Sequence, residues 1–235
     1  MLVRITNKCR MACRHCMIDA TPDGEHMSVE TFTKVLALIK QHQLMFITVS
    51  GGEPLEHPDF FELINLAKEQ TTVIVLSNGM FLEDQATRDR VLELNVPLQI
   101  TNDPRFYPKM ISKFKHPLFG YEDHIRTIAS LGRAKENGLV TNRIAPMCYN
   151  LRSFVRKLNC FWQSVFQLRT MGKFCSPSIN IDGSISAGES SCCHRIGTIE
   201  SSDRELTQNL LRMECNLCGM EDKLKPMYRQ AIGLQ

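Results

Sequence analysis

No apolar run in these 235 residues approaches the roughly 20 needed to cross a bilayer. The opening Met1-Leu2-Val3-Arg4-Ile5-Thr6 also lacks the long apolar stretch of a secretion signal. The expectation is a cytoplasmic protein with no membrane partner. Charge of one sign is scarce: the net charge is +3 and no Lys/Arg block stands out, so nucleic acid is unsupported as a partner. Ten cysteines are about 4% of the chain, below the roughly 8–10% of a disulfide scaffold. Cysteines that are few but clustered point to metal or redox chemistry instead.

The first two-thirds of the chain alternate strand and helix patterns. Leu2 to Thr6, Met45 to Ser50, Val73 to Leu76 and Val96 to Thr101 read as strands in nearly continuous apolar runs. Between them, Phe32, Val35, Leu36 and Ile39, with Ser28 as N-cap, and Phe60, Leu63, Ile64 and Ala67 follow helical spacing. A third helix is expected over about 83–94. Residues 103–120 carry Pro104, Pro108 and Pro117 and read as a long loop. Ile125, Ile128, Ala129 and Gly132 suggest a helix face, and Leu139 to Ala145 a fifth strand. A helix near 150–158 and a strand near 164–168 would complete a sixth unit. Such alternation implies an α/β fold with a parallel sheet. Six units are too few for a closed eightfold barrel, so a partial, TIM-like (β/α)6 barrel over 1–170 is expected, with its chemistry at the C-terminal strand ends. From 171 to 235 the pattern changes. Ile179, Ile181, Asp182-Gly183 and Ile185 read as a β-hairpin, and Ser202 and Glu205 form a capping box before a last helix.

Cys9, Cys13 and Cys16 follow the first strand as C-x3-C-x2-C. Three thiolates can hold three irons of a cubane and leave the fourth open to a small ligand. A zinc loop, with His15 between two of the cysteines, is the alternative. Gly51-Gly52-Glu53-Pro54 follows the second strand, where glycines permit close backbone approach and Glu53 offers an acceptor for an amine. Together these residues resemble the radical S-adenosylmethionine superfamily.

That resemblance implies a [4Fe–4S] cluster on Cys9, Cys13 and Cys16, whose open iron chelates S-adenosylmethionine. It implies that Gly51, Gly52, Glu53 and Pro54 receive the cofactor's amine, and that His15 takes a position usually aromatic in the family. Reductive cleavage would give a 5′-deoxyadenosyl radical that abstracts a substrate hydrogen, with an external one-electron donor such as flavodoxin or ferredoxin. Ser77, Asn78, Asn102, Asp103 and Arg143, at strand ends or on the fifth strand, are further cofactor-contact candidates, though such residues also suit ordinary caps and turns.

A second set, Cys175-x12-Gly188-x4-Cys193 and then Cys215-x2-Cys218, supplies four thiolates. Taken alone it suits zinc; beside the first motif it resembles the twitch domain, a short relative of the SPASM domain that binds one auxiliary [4Fe–4S] cluster. The architecture is similar to that of twitch enzymes of the 2-deoxy-scyllo-inosamine dehydrogenase type. The glycine spacing favours Cys193 over Cys192 as ligand, and Cys148, Cys160 and Cys192 read as small buried hydrophobes. Three functions follow. The leading one is a dehydrogenase-like oxidoreductase that removes two electrons from a small molecule. The second is radical modification (oxidation, crosslinking or epimerisation) of a ribosomally made peptide. It is disfavoured by the lack of sequence before the first strand for a separate peptide-recognition domain. The third, from another class, is a zinc-stabilised binding protein without catalysis.

Overall fold

The computed structural model describes residues 1–125, 128–139, 147–170, 177–188 and 190–214, with backbone alone at 147–150 and 168–170. The strands β1 (Leu2–Thr6), β2 (Phe46–Gly51), β3 (Thr72–Ser77) and β4 (Leu98–Thr101) lie parallel in sequence order. They are joined by α1 (Val29–Gln41), α2 (Phe60–Lys68) and α3 (Gln85–Glu93). Ser28 caps α1, its hydroxyl accepting from Thr31 N at 3.1 Å.

Strand register separates two faces. Val3, Val49, Val75 and Leu98 form one row across β1–β4, all buried beneath α1 and α2. The intervening positions Leu2, Arg4, Ser50, Leu76 and Thr101 face a cavity on the opposite side. The helix-facing row is thus apolar up to the strand ends, while the inner side carries mixed chemistry. This period-two alternation lets one sheet build a core and a site at once.

Four expectations change. The segment 103–120 is not all loop: β5 (Phe119–Glu122) pairs parallel with β4, with Leu98 opposite Phe119. No strand forms near 164–168. After α4 (Gly132–Glu136) and α5 (Met147–Leu158), that stretch is part of α6 (Phe161–Thr170). Phe161, Trp162 and Val165 share the buried side of α6 at helical spacing. Asp203 satisfies the first turn, accepting from Phe161 N at 3.2 Å and Trp162 N at 2.9 Å. The helix face sought at 125–132 begins only at Gly132. The helix expected over 83–94 divides into a 3-10 turn, Met80–Glu83, and α3. The proposed fifth strand falls almost wholly, and the 170/171 boundary on its far side, outside the described residues.

The hairpin appears as β6 (Ser178–Ile179) and β7 (Ser184–Ser186), followed by β8 (Arg195–Thr198) and α7 (Asp203–Arg212). Ser202 caps α7, accepting from Glu205 N at 3.2 Å. β6 runs parallel to β1 on its free side, so the described strands make one sheet ordered β5-β4-β3-β2-β1-β6-β7-β8. The sheet stays open, and Ile179, Ile185, Ile196 and Leu206 share the main core with Val3 and Val49.

Candidate active site

The first cysteine motif sits in a loop that leaves β1 and folds back beside it. Asn7 N donates to Glu25 O, Cys9 N to Thr21 O and Met27 N to Ile5 O, which closes the loop at its base. The end of β2 then fastens to it: Gly52 N donates to Thr6 O at 2.7 Å and Glu53 N to Lys8 O at 2.8 Å. Glycine is required at both positions there. A Cβ at Gly51 would stand 2.1 Å from Thr6 O, and one at Gly52 would stand 2.1 Å from Lys8 O.

α4 grips the other side of the loop. Arg133 donates through Nε to Cys13 O and through Nη1 to Ala20 O, and its backbone N–H donates to Asp19 Oδ1. Ala134 N donates to Cys16 O and Asn137 Nδ2 to Arg14 O. With these carbonyls occupied, the loop turns Cys9, Cys13 and Cys16 toward a single cavity of about 270 Å³. His15, Met17, Gly51, Gly52, Ser77, Asn78, Tyr107 and Arg133 also line it. Small-molecule sites run upward from roughly 300 Å³, so this one is near the lower end.

Burial dominates the electrostatics. It pushes the Cys9 thiol up to about 11, partly opposed by the Met11 N–H. It pushes Cys13 up to about 12, with the Cys9 and Cys16 thiolates adding to the rise. Such thiols ionise readily only beside a strong positive centre, because a metal inverts this logic. Burial also lowers His15 to about 4, so its ring is neutral. The His15 ring packs between Phe106 and Tyr107, at 5.2 and 5.0 Å between centroids. Its buried Nδ1 has no hydrogen-bond partner among the described residues. Three soft sulfur donors and an orphaned acceptor or donor nitrogen around one cavity fit an iron–sulfur cluster with an organic ligand.

Glu53 is buried behind this wall. Its carboxylate accepts from Ser77 Oγ at 2.9 Å, Asn78 N at 2.7 Å and Leu55 N at 3.3 Å. Burial pushes its carboxyl up to about 7, against the pull of those three donors. Glu53 therefore brackets the ends of β2 and β3, and a carboxylate's roughly four acceptor sites leave one more. Pro54 opens the short 3-10 turn beneath it. Asn102 lies away from the cavity: its side chain donates to Lys109 O and accepts from Ile111 N. Asp103 is clamped by Arg105 and by Ile125 N, which hold its carboxyl well below the usual carboxylate range. These two residues shape the loop that delivers Phe106 and Tyr107. No motif marks Arg4, Met17, Tyr107 or Arg133, which also line the cavity. Tyr107 could have been suspected from an aromatic pair just beyond a polar strand end, whereas Arg4, Met17 and Arg133 belong to no pattern.

Of the second cysteine set, Cys175, Cys215 and Cys218, like Arg143, lie outside the described residues. Cys193 Sγ faces Gly188, where an added Cβ would stand 2.8 Å from the sulfur. Cys192 turns the other way, its thiol 3.8 Å from Asp19 Oδ2. Ser190 Oγ and Ser191 Oγ donate to Met17 O and Ile18 O, so this segment rests on the first cysteine loop.

A stretch of 87 residues is 32% identical to a GTP 3′,8-cyclase of Chlorobaculum tepidum, covering 35% of this chain and 26% of that protein. Another of 84 residues is 26% identical to the antilisterial bacteriocin subtilosin biosynthesis protein AlbA of Bacillus subtilis, covering 35% of this chain and 19% of that one. The chain thus spans only about a quarter or less of these relatives' length. The fold as a whole is similar to the crystal structure of BtrN in complex with AdoMet and 2-DOIA. That likeness has a TM-score of 0.57 at 14% identity, over 98% of this chain and 88% of that one. No described helix is long and apolar enough to cross a membrane. The radical SAM family model matches residues 3–155, from β1 through most of α5, and the chain belongs to the radical SAM superfamily.

Proposed function

We propose that this chain oxidises a small molecule by two electrons, with a [4Fe–4S] cluster on Cys9, Cys13 and Cys16 and an auxiliary [4Fe–4S] cluster on Cys175, Cys193, Cys215 and Cys218 of a twitch-type segment. Bound together, the first cluster and S-adenosylmethionine supply a 5′-deoxyadenosyl radical after one-electron reduction by an external donor such as flavodoxin or ferredoxin. The observation that carries the reading is the convergence of all three thiols of one loop on a cavity shared with the backbone of Gly51 and Gly52.

The chain's own residues then have separable roles. Arg133 and Asn137 hold the loop carbonyls so that the thiols face inward. Gly51 and Gly52 keep the β2 end close enough for its backbone to reach a bound amine. Leu2, Met17, Ile18 and Leu76 wall the cavity with apolar surface that excludes water from a reactive radical. Gly188 leaves room for the Cys193 sulfur, which supports its place in the auxiliary set.

The test is the Cys9→Ala, Cys13→Ala, Cys16→Ala triple variant, reconstituted without oxygen. Iron should fall by half from roughly eight per chain, and 5′-deoxyadenosine formation should drop to background. Full cofactor cleavage by the variant would sink the proposal. The likeness to the subtilosin biosynthesis protein supports a second reading, radical modification of a ribosomally made peptide. A mass shift on a peptide rather than a small molecule during turnover would select it.

A further inference from the structure

Asn78 directly follows β3 and is almost fully buried, and its N–H and both side-chain polar atoms have fixed directions. Its backbone N–H donates to Glu53 Oε2 at 2.7 Å. Its Oδ1 accepts from Met80 N at 2.9 Å, an Asx-turn closed around Gly79. Gly79 has φ +82°, and a Cβ there would meet Ile111 Cδ1 at 2.1 Å, so the turn calls for glycine. Oδ1 being committed to a donor, the amide cannot be flipped, and Nδ2 is the atom that faces Cys9 Sγ, at 3.8 Å.

We propose that Asn78 is a positioning residue for the first cluster: its side-chain amide donates to the Cys9 sulfur and raises the cluster's reduction potential. This rests on the reading of Cys9 as a cluster ligand. Hydrogen bonds to cluster sulfurs are one of the levers that set such potentials. An N–H dipole stabilises the more negative reduced state more than the oxidised one, so it favours accepting the electron that cofactor cleavage requires. The contact is held by neighbours on β2 and β3 rather than by the cysteine loop itself.

The experiment is a redox titration of the first cluster, followed by electron paramagnetic resonance, in the reconstituted protein and two variants. Asn78→Ser keeps a hydroxyl that can accept from Met80 N but is too short to reach Cys9. Its reduction equilibrium should weaken about three- to tenfold, tenfold being 59 mV for one electron. Asn78→Asp keeps the turn and replaces the donor by an anionic oxygen, so its fall should be larger. Unchanged potentials in both variants overturn the proposal, and weakened S-adenosylmethionine binding at an unchanged potential assigns Asn78 to the cofactor instead. Wild-type protein carrying side-chain 15N-asparagine decides the matter without any variant. A 15N coupling to the reduced cluster is expected, and its absence overturns the proposal. A wild-type chain that holds iron but never cleaves the cofactor would defeat the functional reading, while leaving the potential shift and the 15N coupling to answer for Asn78.

Discussion

The two cysteine segments are built on opposite principles. Cys9 to Cys16 packs three thiols into eight residues and needs no other part of the chain to bring them together. What it needs is a frame. Three distant segments supply it: Gly52 and Glu53 just after β2, Arg133 to Asn137 in and just after α4, and Ser190 to Cys192 after β7. Cys193 is the reverse case. Its proposed partners lie at 175, 215 and 218, so its ligand set depends wholly on tertiary folding, while locally its N–H donates to Ser190 O and its sulfur faces Gly188. Spacing creates the first set; the fold must create the second. Since Ser190 and Ser191 rest on Met17 and Ile18, a disturbance of the second segment is felt first at the wall of the first cavity.

The largest effect that would break this comparison comes from removing Cys215 and Cys218 together. With both replaced by Ala, 5′-deoxyadenosine formation should persist, because the first loop keeps its own thiols and frame. The oxidised product should fall at least tenfold, since the second electron would have no acceptor. Product analysis beside cofactor cleavage checks this. A folded double variant making product at the normal rate would reduce the second set to a structural pin.

Next comes Glu53, which belongs to the frame rather than to the thiols. Glu53→Ala strips the acceptor from Leu55 N, Asn78 N and Ser77 Oγ, although Ser77 Oγ still accepts from Gly79 N. Each buried group left unsatisfied costs about 1–3 kcal/mol, so a loss of about 3 kcal/mol overall is expected. In a chain of this size that lowers Tm by about 6–12 °C. Glu53→Gln separates frame from ligand: it should weaken S-adenosylmethionine binding only if the carboxylate itself meets the amine. Calorimetry on the first variant and cofactor titration on the second measure the two contributions independently.

Gly52→Ala should act more weakly and on the frame alone. The new methyl would sit 2.1 Å from Lys8 O, so either β2 or the cysteine loop must shift. Overpacking of this kind costs about 1–3 kcal/mol. A thermal melt that matches wild type would show that the two segments have slack between them, contrary to the tight frame described above.

The same contrast explains what was legible in the sequence. Four parallel strands, the helices α1 and α2, and the caps at Ser28 and Ser202 depend on near neighbours, and their periodicity announced them. β5 did not announce itself. It is four residues long, contains Gly120, follows Pro117 and buries only Phe119 well, so its pairing with β4 decides its state. A strand is expected near 164–168, yet Asp203, far along the chain, caps the helix that forms there. In the site, every residue supplied by a motif was readable, while Arg133 and Tyr107 were not. Arg133 reaches the cavity from a segment whose own sequence carries no chemical pattern, and Tyr107 from one marked only by its aromatic pair; Asp19, Asp103 and the loop carbonyls place them there.

The smallest expected effect is also the sharpest test of the second segment, because Cys192 and Cys193 are adjacent and differ only in direction. The Cys192 thiol points to Asp19 at 3.8 Å, a long and weak contact with the first loop. Burial raises its pKa, and the Asp19 charge opposes ionisation further. Cys193 instead faces the space over Gly188, which any larger residue would fill. Cys192→Ala should therefore leave iron content unchanged and alter stability by no more than about 0.5 kcal/mol, as surface-type substitutions do. Cys193→Ala should lose the iron of the auxiliary cluster, up to half the total, while cofactor cleavage continues. Gly188→Ala should resemble a milder Cys193→Ala, since its methyl would press on that sulfur and not on Cys192. Iron analysis of the three variants side by side is enough. If Cys192→Ala loses the iron and Cys193→Ala keeps it, the two thiols exchange roles, and Ser190 to Cys193 must rotate away from Asp19 when the cluster forms. That outcome would also release Met17 and Ile18 from their serine partners, and cluster loading at the second segment would then reshape the first cavity.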